Sequence, residues 1–223
     1  AQPSKHFSLR TETTIDLRHL KSITNTDMGA TPLPAFIQDN YEIHEWRHAL
    51  AILRHDFSQE MDEVIDVLTR FRIRQSWIAV GGGRKSKVSE WIDSELIRSG
   101  WQPKAFDTRI TVDSESFESP THEVDCFKNR VALEIEWNNK DPFYDRDLNN
   151  FRLLFDLRVI SVGIIITRCD ELQEIFDSLG RGSSYGASTT HMSKLLPRVQ
   201  GGGGAGCPIL VFGIKKSLYV ENS

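Results

Sequence analysis

Asp125, Glu134 and Glu136 are the residues of this chain whose types and spacing could do chemistry. They fall in the stretch Asp-Cys-Phe-Lys-Asn-Arg-Val-Ala-Leu-Glu-Ile-Glu-Trp, residues 125–137. In a strand, successive side chains point to opposite faces. Val131, Leu133, Ile135 and Trp137 therefore share one face, and Arg130, Ala132, Glu134 and Glu136 the other. The first face is wholly apolar, as expected of a strand packed on a core. The second carries two acids side by side, which repel each other unless positive charge lies between them. A divalent metal ion is the usual answer. The Lys128-Asn129 turn signal expects a hairpin that returns Asp125 beside Glu134. The competing reading is a plain amphipathic strand with a solvated outer face. The disfavour of Glu in strands and the apolar strand that follows, which would make this one central, weigh against it.

The elements that must position these acids can be read around them. A helical pattern runs from Ile43 to about His55, with Trp46, Ala49, Leu50 and Leu53 on one stripe. Ser58 looks like the N-cap of the next helix, with a stripe of Met61, Val64, Ile65, Leu68 and Phe71. A basic stretch from Arg70 to Lys87 precedes a helix over Val88–Ser99, closed by Gly100. Lys104–Val112 reads as a strand and Asp113–Pro120 as a polar loop. After the acidic strand, residues 138–142 turn into a helix capped by Asp141 or Asp145, with Leu148, Phe151, Leu154 and Phe155 as its stripe. Arg158–Thr167 is so apolar that it should be covered on both faces. Strand, helix, strand with this crossover expects a parallel pair. A short helix over Glu171–Leu179, a mobile Gly/Ser-rich stretch (180–190), a helical pattern from His191 to about Leu196, a glycine loop (201–206) and a buried strand over Pro208–Ile214 complete the core. The pattern is α/β, a central mixed β-sheet flanked by helices. No linker splits the 223 residues, so one domain is expected: residues 1–40 unassigned, 43–100 largely helical, 104–215 carrying the core. Within the first segment, Thr11–Leu20 could be a short strand or helix and Thr26–Pro34 a loop.

Composition bounds the function. The chain is 39% hydrophobic and 26% charged, ordinary for a globular protein, and no run approaches a membrane span. The polar first twenty residues expect no signal peptide, and Cys126, Cys169 and Cys207, odd in number and widely spaced, expect free thiols in a reducing cytoplasm. The net charge of −4 counts mildly against a nucleic-acid partner. It does not exclude a nuclease, which gathers acids at its metal site and needs positive charge only near the phosphates. His44-Glu45-Trp46-Arg47-His48 matches the H-E-x-x-H zinc-protease pattern on an expected helix, with His55 on the same face. Arg47 inside the motif and the position of these histidines opposite the apolar stripe favour surface histidines. Gly81-Gly82-Gly83-Arg84-Lys85-Ser86-Lys87 resembles a phosphate-binding loop but has Arg84 where a Walker motif requires Gly. It reads as a positive loop ahead of a helix, suited to an anionic partner.

Asp, eight residues, Glu, one residue and a polar third position is the pattern of the PD-(D/E)xK nuclease core. The third position is most often Lys; here it is Glu136, as in the BamHI group, while the BglII and BstYI group has Gln. The stretch Phe127–Trp137 with its following helix, the strand Val162–Ile166 and the strand Pro208–Ile214 resemble, in order and spacing, type II restriction endonucleases of the BglII/BstYI-like group. The resemblance covers about residues 43–215 and is clearest over 122–170. It implies the restriction-endonuclease-like fold, a homodimer acting on a short palindrome, double-stranded DNA as partner, and a site containing GATC.

The resemblance also implies roles. Asp125 and Glu134 would coordinate Mg²⁺, with the Ile135 carbonyl as a further oxygen ligand. Glu136 would act as general base or hold a second ion. Asn138, Asn139, Lys140, Ser183, Ser184, Tyr185 and Arg198–Gln200 are candidate base readers; Arg84, Lys85 and Lys87 are better read as phosphate contacts. Rival readings are another nuclease of repair or recombination on the same core, a non-catalytic DNA-binding module, and a zinc protease on His44 and His48 with Glu45 as base. Three intact acids facing a phosphate argue against the binding module. A glycosidase would need its acids across a cleft rather than on one strand.

Overall fold

The computed structural model describes residues 21–22, 32–79 and 85–221. Its strands are β1 (Lys21–Ser22), β2 (Tyr41–Trp46), β3 (Ile73–Arg74), β4 (Gln102–Lys104), β5 (Asp107–Val112), β6 (Glu115–Pro120), β7 (Val124–Lys128), β8 (Val131–Glu136), β9 (Val162–Arg168), β10 (Ile209–Ile214) and β11 (Tyr219–Val220). Its helices are α1 (Ala35–Asn40), α2 (Ala49–Asp56), α3 (Ser58–Arg70), α4 (Gln75–Ala79), α5 (Lys87–Arg98), α6 (Phe143–Asp156), α7 (Leu172–Ser178) and α8 (Met192–Gln200). The main sheet has seven strands in the order β1-β2-β10-β9-β8-β7-β4. Its centre, β8-β9-β10, is parallel, and antiparallel strands β7 and β2 flank it. This is the mixed sheet flanked by helices that the pattern expected.

Burial follows from that order. Every residue of β8, β9 and β10 is buried, as expected of parallel strands covered on both faces. On one face Val131, Leu133, Ile135, Ile164 and Phe212 pack with apolar residues of α1, α2, α3, α5 and α7. On the other, Ala132, Ile165 and Val211 meet Tyr144, Leu148, Phe151 and Leu154 of α6 and Met192, Leu195 and Val199 of α8. The β7–β8 hairpin forms around Asn129 (φ 45°) and Arg130 (φ 69°); positive φ at both central residues suits a two-residue turn between twisted antiparallel strands. α5 begins on Ser86, whose hydroxyl accepts from the Ser89 amide at 3.0 Å. The three cysteines are free and buried.

Several expected elements differ. The helix expected from Ile43 starts only at Ala49; Tyr41–Trp46 is instead strand β2, hydrogen-bonded to β10 over its whole length. Arg47 (φ 56°) and His48 (φ 59°) form a left-handed corner between strand and helix. Tertiary pairing with β10 overrides the helical period of a short apolar run. Asp113–Pro120 is not a loop: β6 pairs with β5 in a hairpin outside the main sheet. Pro142, not Asp141 or Asp145, precedes α6. The stretch 180–190 contains a 3₁₀ turn, Gly182–Tyr185, with Tyr185 buried. The readings of Thr11–Leu20, most of the 26–34 loop and Gly81–Arg84 lie outside the described residues.

Gly163 in β9 lies so close to α6 that an added Cβ would sit 2.5 Å from the Phe151 ring. Gly163→Ala is expected to destabilise the fold by about 1–3 kcal/mol through overpacking. Urea unfolding should show a lower midpoint with an unchanged m-value.

Candidate active site

The hairpin register sets the site. Cys126 pairs with Leu133 and Phe127 with Ala132, so Asp125 lies opposite Glu134. The two are interlocked: the Asp125 amide donates to Glu134 Oε2 at 3.2 Å, and the Ile135 amide donates to Asp125 Oδ2 at 2.9 Å. Glu134 and Glu136 share a face of β8, and that face is dry. Each is about 1% exposed, beneath α6. A solvated outer face is thereby excluded.

α6 adds a third buried acid, Asp147, which is 0% exposed. Arg146 Nε and Nη2 donate to its Oδ1 at 3.1 and 2.9 Å, and Nη2 lies 3.5 Å from Glu136 Oε1. Asn139 Nδ2 donates to Glu136 Oε2 at 2.8 Å. Glu134 Oε1 and Asp147 Oδ2 are buried without a hydrogen-bond partner. His122, just before β7, completes the group: one ligand atom each of His122, Glu134 and Asp147 lie within 4.8 Å of one another. Asp147 is absent from the residues that the sequence pattern points to, because a stripe defined by apolar side chains passes over an acid. The signal was present: Asp147 is three residues after Tyr144 and four before Phe151, both fully buried, and so faces the core with them.

Electrostatics follow from this crowding. Burial, then the charges of Asp147 and Asp125, raise the Glu134 pKa well above its usual value. Burial and the neighbouring Asp147 push Glu136 up to about 9. Burial likewise raises Asp147. Burial, with the Arg146 charge, lowers His122, which favours the neutral imidazole, the metal-binding form. Buried carboxylates with orphaned oxygens beside a neutral imidazole fit a divalent cation: the ion replaces the protons they would otherwise hold.

On the far side of Asp125 stands α5. Its Asp93 is buried, accepts from Cys126 Sγ at 3.5 Å and forms an ion pair with Lys85. Burial raises the Asp93 pKa, the Lys85 contact opposes this, and the Asp125 charge raises it further.

A family model described as restriction endonuclease BglII/BglIII matches residues 41–214. The chain belongs to this family. No curated protein matches it. It is therefore a BglII-like restriction endonuclease, a DNA hydrolase with the fold of that family. The match spans the sheet from β2 to β10 and includes Asp125, Glu134, Glu136, Asp147 and His122. Among the described residues no helix is long and apolar enough to cross a membrane.

The other expected site residues are distributed as follows. Asn138, Asn139 and Lys140 leave the carboxyl end of β8, and their loop is tied to residues 188–190. Thr190 donates to the Asn139 carbonyl at 2.8 Å, Asp141 to the Ser188 carbonyl at 3.0 Å, and Lys140 bridges Thr189. Buried Arg168, at the end of β9, donates to the Tyr185 carbonyl and Thr189 Oγ1 at 2.8 and 2.9 Å. The exposed Ser183 and Ser184 thus sit on a segment anchored to the loop after β8. These loops crowd the carboxyl ends of the parallel strands, the usual ligand end of an open α/β sheet. Arg198 is committed within the chain, to Asp145 at 2.9 Å and Asp141 at 3.6 Å. Lys87 is exposed and pairs with Glu90. Arg84 lies outside the described residues. The histidines of the H-E-x-x-H match do not share a helix. His44 is a buried strand residue whose Nε2 meets Glu42 Oε1 at 2.7 Å, not a surface histidine; His48 stands exposed in the corner after β2.

Folded Glu136 keeps its proton up to about pH 9, whereas the unfolded chain releases it near 4.5. Its stabilising contribution is full below the unfolded value and is lost as pH rises through the folded one. In EDTA the melting temperature is expected to fall across about pH 5 to 9. Glu136→Gln should flatten that profile; an unchanged slope would contradict the assignment.

Proposed function

We propose that this protein is a type II restriction endonuclease that makes Mg²⁺-dependent double-strand cuts in DNA at a short, GATC-containing palindrome. The observation that carries the reading is the buried carboxylate group of β8 and α6, with one orphaned oxygen each on Glu134 and Asp147, inside a chain that belongs to the BglII-like family. The palindrome and its GATC centre rest on the resemblance to the BglII and BstYI group.

In this reading Asp125 and Glu134, with the Ile135 carbonyl, would hold Mg²⁺. When bound, the ion supplies positive charge against the negative charge that grows on the scissile phosphate, and it acidifies the attacking water. Asp125 is oriented by the Ile135 amide and Glu134 by the Asp125 amide, so both carboxylates are fixed before DNA arrives. Glu136, with Oε2 held by Asn139, accepts the proton of the attacking water as general base. Glu136 could take up that role beside a cation, because nearby positive charge lowers the pKa of a buried carboxyl. In this reading Asn139 serves as a positioning residue for Glu136, beside its suggested part in base reading. Asn138, Lys140, Ser183, Ser184 and Arg198 remain the candidates for contacts with base edges, and Arg84, Lys85 and Lys87 those for phosphates. A twofold-symmetric site calls for a homodimer, and we place the enzyme in the cytoplasm as a single nuclease domain in a restriction-modification system.

The deciding experiment is digestion of unmethylated phage DNA with Mg²⁺ and an EDTA control, followed by sequencing of the fragment ends. A shared GATC-containing palindrome at the ends is the expected result. Metal-dependent smearing would favour a repair or recombination nuclease, and no cleavage would favour a binding module. Glu134→Ala should lower the cleavage rate by about 10³-fold or more while DNA binding stays equal or tightens. Normal cutting by that variant would show that the acids are misassigned. Lys85→Ala should weaken binding to all sequences alike and shallow its salt dependence by about one phosphate contact; a loss confined to one base position would make Lys85 a base reader instead.

A further inference from the structure

His122, Glu134 and Asp147 come from three elements: the segment before β7, strand β8 and helix α6. One ligand atom of each lies within 4.8 Å of the others, close enough for modest side-chain rotation to bring all three to one ion at about 2.0–2.2 Å. The group is braced from behind. Asn150 of α6 donates to the His122 carbonyl at 3.0 Å, tying the histidine's backbone to the helix that carries Asp147. Independently, each carboxyl keeps a free oxygen. Glu134 uses Oε2 for the Asp125 amide and Asp147 uses Oδ1 for Arg146. Glu134 Oε1 and Asp147 Oδ2 are left buried and unpartnered, although both residues are at least 99% buried. Arg146 is the only side-chain cation within ion-pair distance of this group among the described residues.

We propose that His122, Glu134 and Asp147 bind a divalent transition-metal ion at a position separate from the Mg²⁺ position of Asp125, Glu134 and Ile135, with Glu134 shared between the two. The inference rests on the reading of Glu134 as a cation ligand. The donor sets give the two positions different preferences. Asp125, Glu134 and a carbonyl offer only oxygen, which suits Mg²⁺. An imidazole nitrogen with two carboxylates suits Mn²⁺, Co²⁺ or Zn²⁺ better. Charge supports two ions: Asp125, Glu134, Glu136 and Asp147 gather four carboxyls, and Arg146 with one divalent ion does not balance them.

The test uses the full chain, stripped with EDTA and free of DNA, titrated separately with Co²⁺ and Mg²⁺. Visible absorption reports the Co²⁺ ligand field, and calorimetry reports affinity and stoichiometry. His122→Ala is expected to weaken Co²⁺ binding by about 10-fold or more, to alter the Co²⁺ spectrum, and to leave Mg²⁺ affinity unchanged, since the all-oxygen position does not use the imidazole. Asp147→Asn should act in the same direction, and circular dichroism should show that both variants fold. Unchanged Co²⁺ affinity and spectrum in both variants would overturn the proposal. So would an equal loss of Mg²⁺ and Co²⁺ in His122→Ala, which would mean one common site. Glu134→Gln separates the two readings. If Mg²⁺ and Co²⁺ binding both survive it, the assignment of the catalytic acids fails. If it abolishes both while His122→Ala changes neither, that assignment stands and only this inference falls.

Discussion

The repulsion among buried carboxyl groups is the constraint on which this structure depends. Glu134, Glu136 and Asp147 are packed between β8 and α6 with almost no exposure, and Asp125 joins them across the hairpin. Without a cation such groups keep their protons or destabilise the fold. Arg146 offsets part of the charge, and Asn139 and the backbone amides satisfy some of the oxygens. What remains unpaired is two oxygens in a dry interface. Buried polar groups in proteins are mostly satisfied, and two free carboxyl oxygens beside each other suit the cation of the proposed reading.

The sheet makes that crowding tolerable. β8 is held between β7 and β9, and the opposite face of the sheet packs on the larger apolar core. Helices α6 and α8 cover the acid face with a second core, so the acids sit at one end of a rigid strand, not on a loop. Sites on such elements hold their geometry better than sites on loops. The close contact of Gly163 with Phe151 brings α6 down onto β9, and with it Asp147 onto Glu134. Around the carboxyl ends of β8 and β9, Arg168, Thr189 and Thr190 fasten two polar loops together. The same strand therefore ends in a surface whose position is fixed relative to the acids.

Two short motifs show what local spacing leaves open. H-E-x-x-H needs a helix to bring its histidines together, and pairing with β10 makes that segment a strand ending in a left-handed corner. Lys85 belongs to a run of basic residues, yet its ammonium is paired with buried Asp93. A charge run is a statement about composition; where each charge points depends on what packs beside it.

The sequence by itself determined the acidic strand, its hairpin partner and the parallel strand that follows. Those features rest on short-range rules: side-chain alternation places Glu134 and Glu136 on one face, a two-residue turn returns Asp125, and a continuous apolar run marks β9. The relation to the BglII-like endonucleases was legible from the same residues, because they are contiguous in the chain. The tertiary structure decided what lies across from them. Alternation says that two acids share a face but not whether water or a helix covers it, and the docking of α6 made that face dry. Asp147 approaches Glu134 only through that docking, and Asn150 of the same helix ties down the His122 backbone. β2 became a strand only because β10 offered it a partner. Long-range packing chooses among local structures of similar free energy, and a short apolar run carries too little periodic information to reveal that choice.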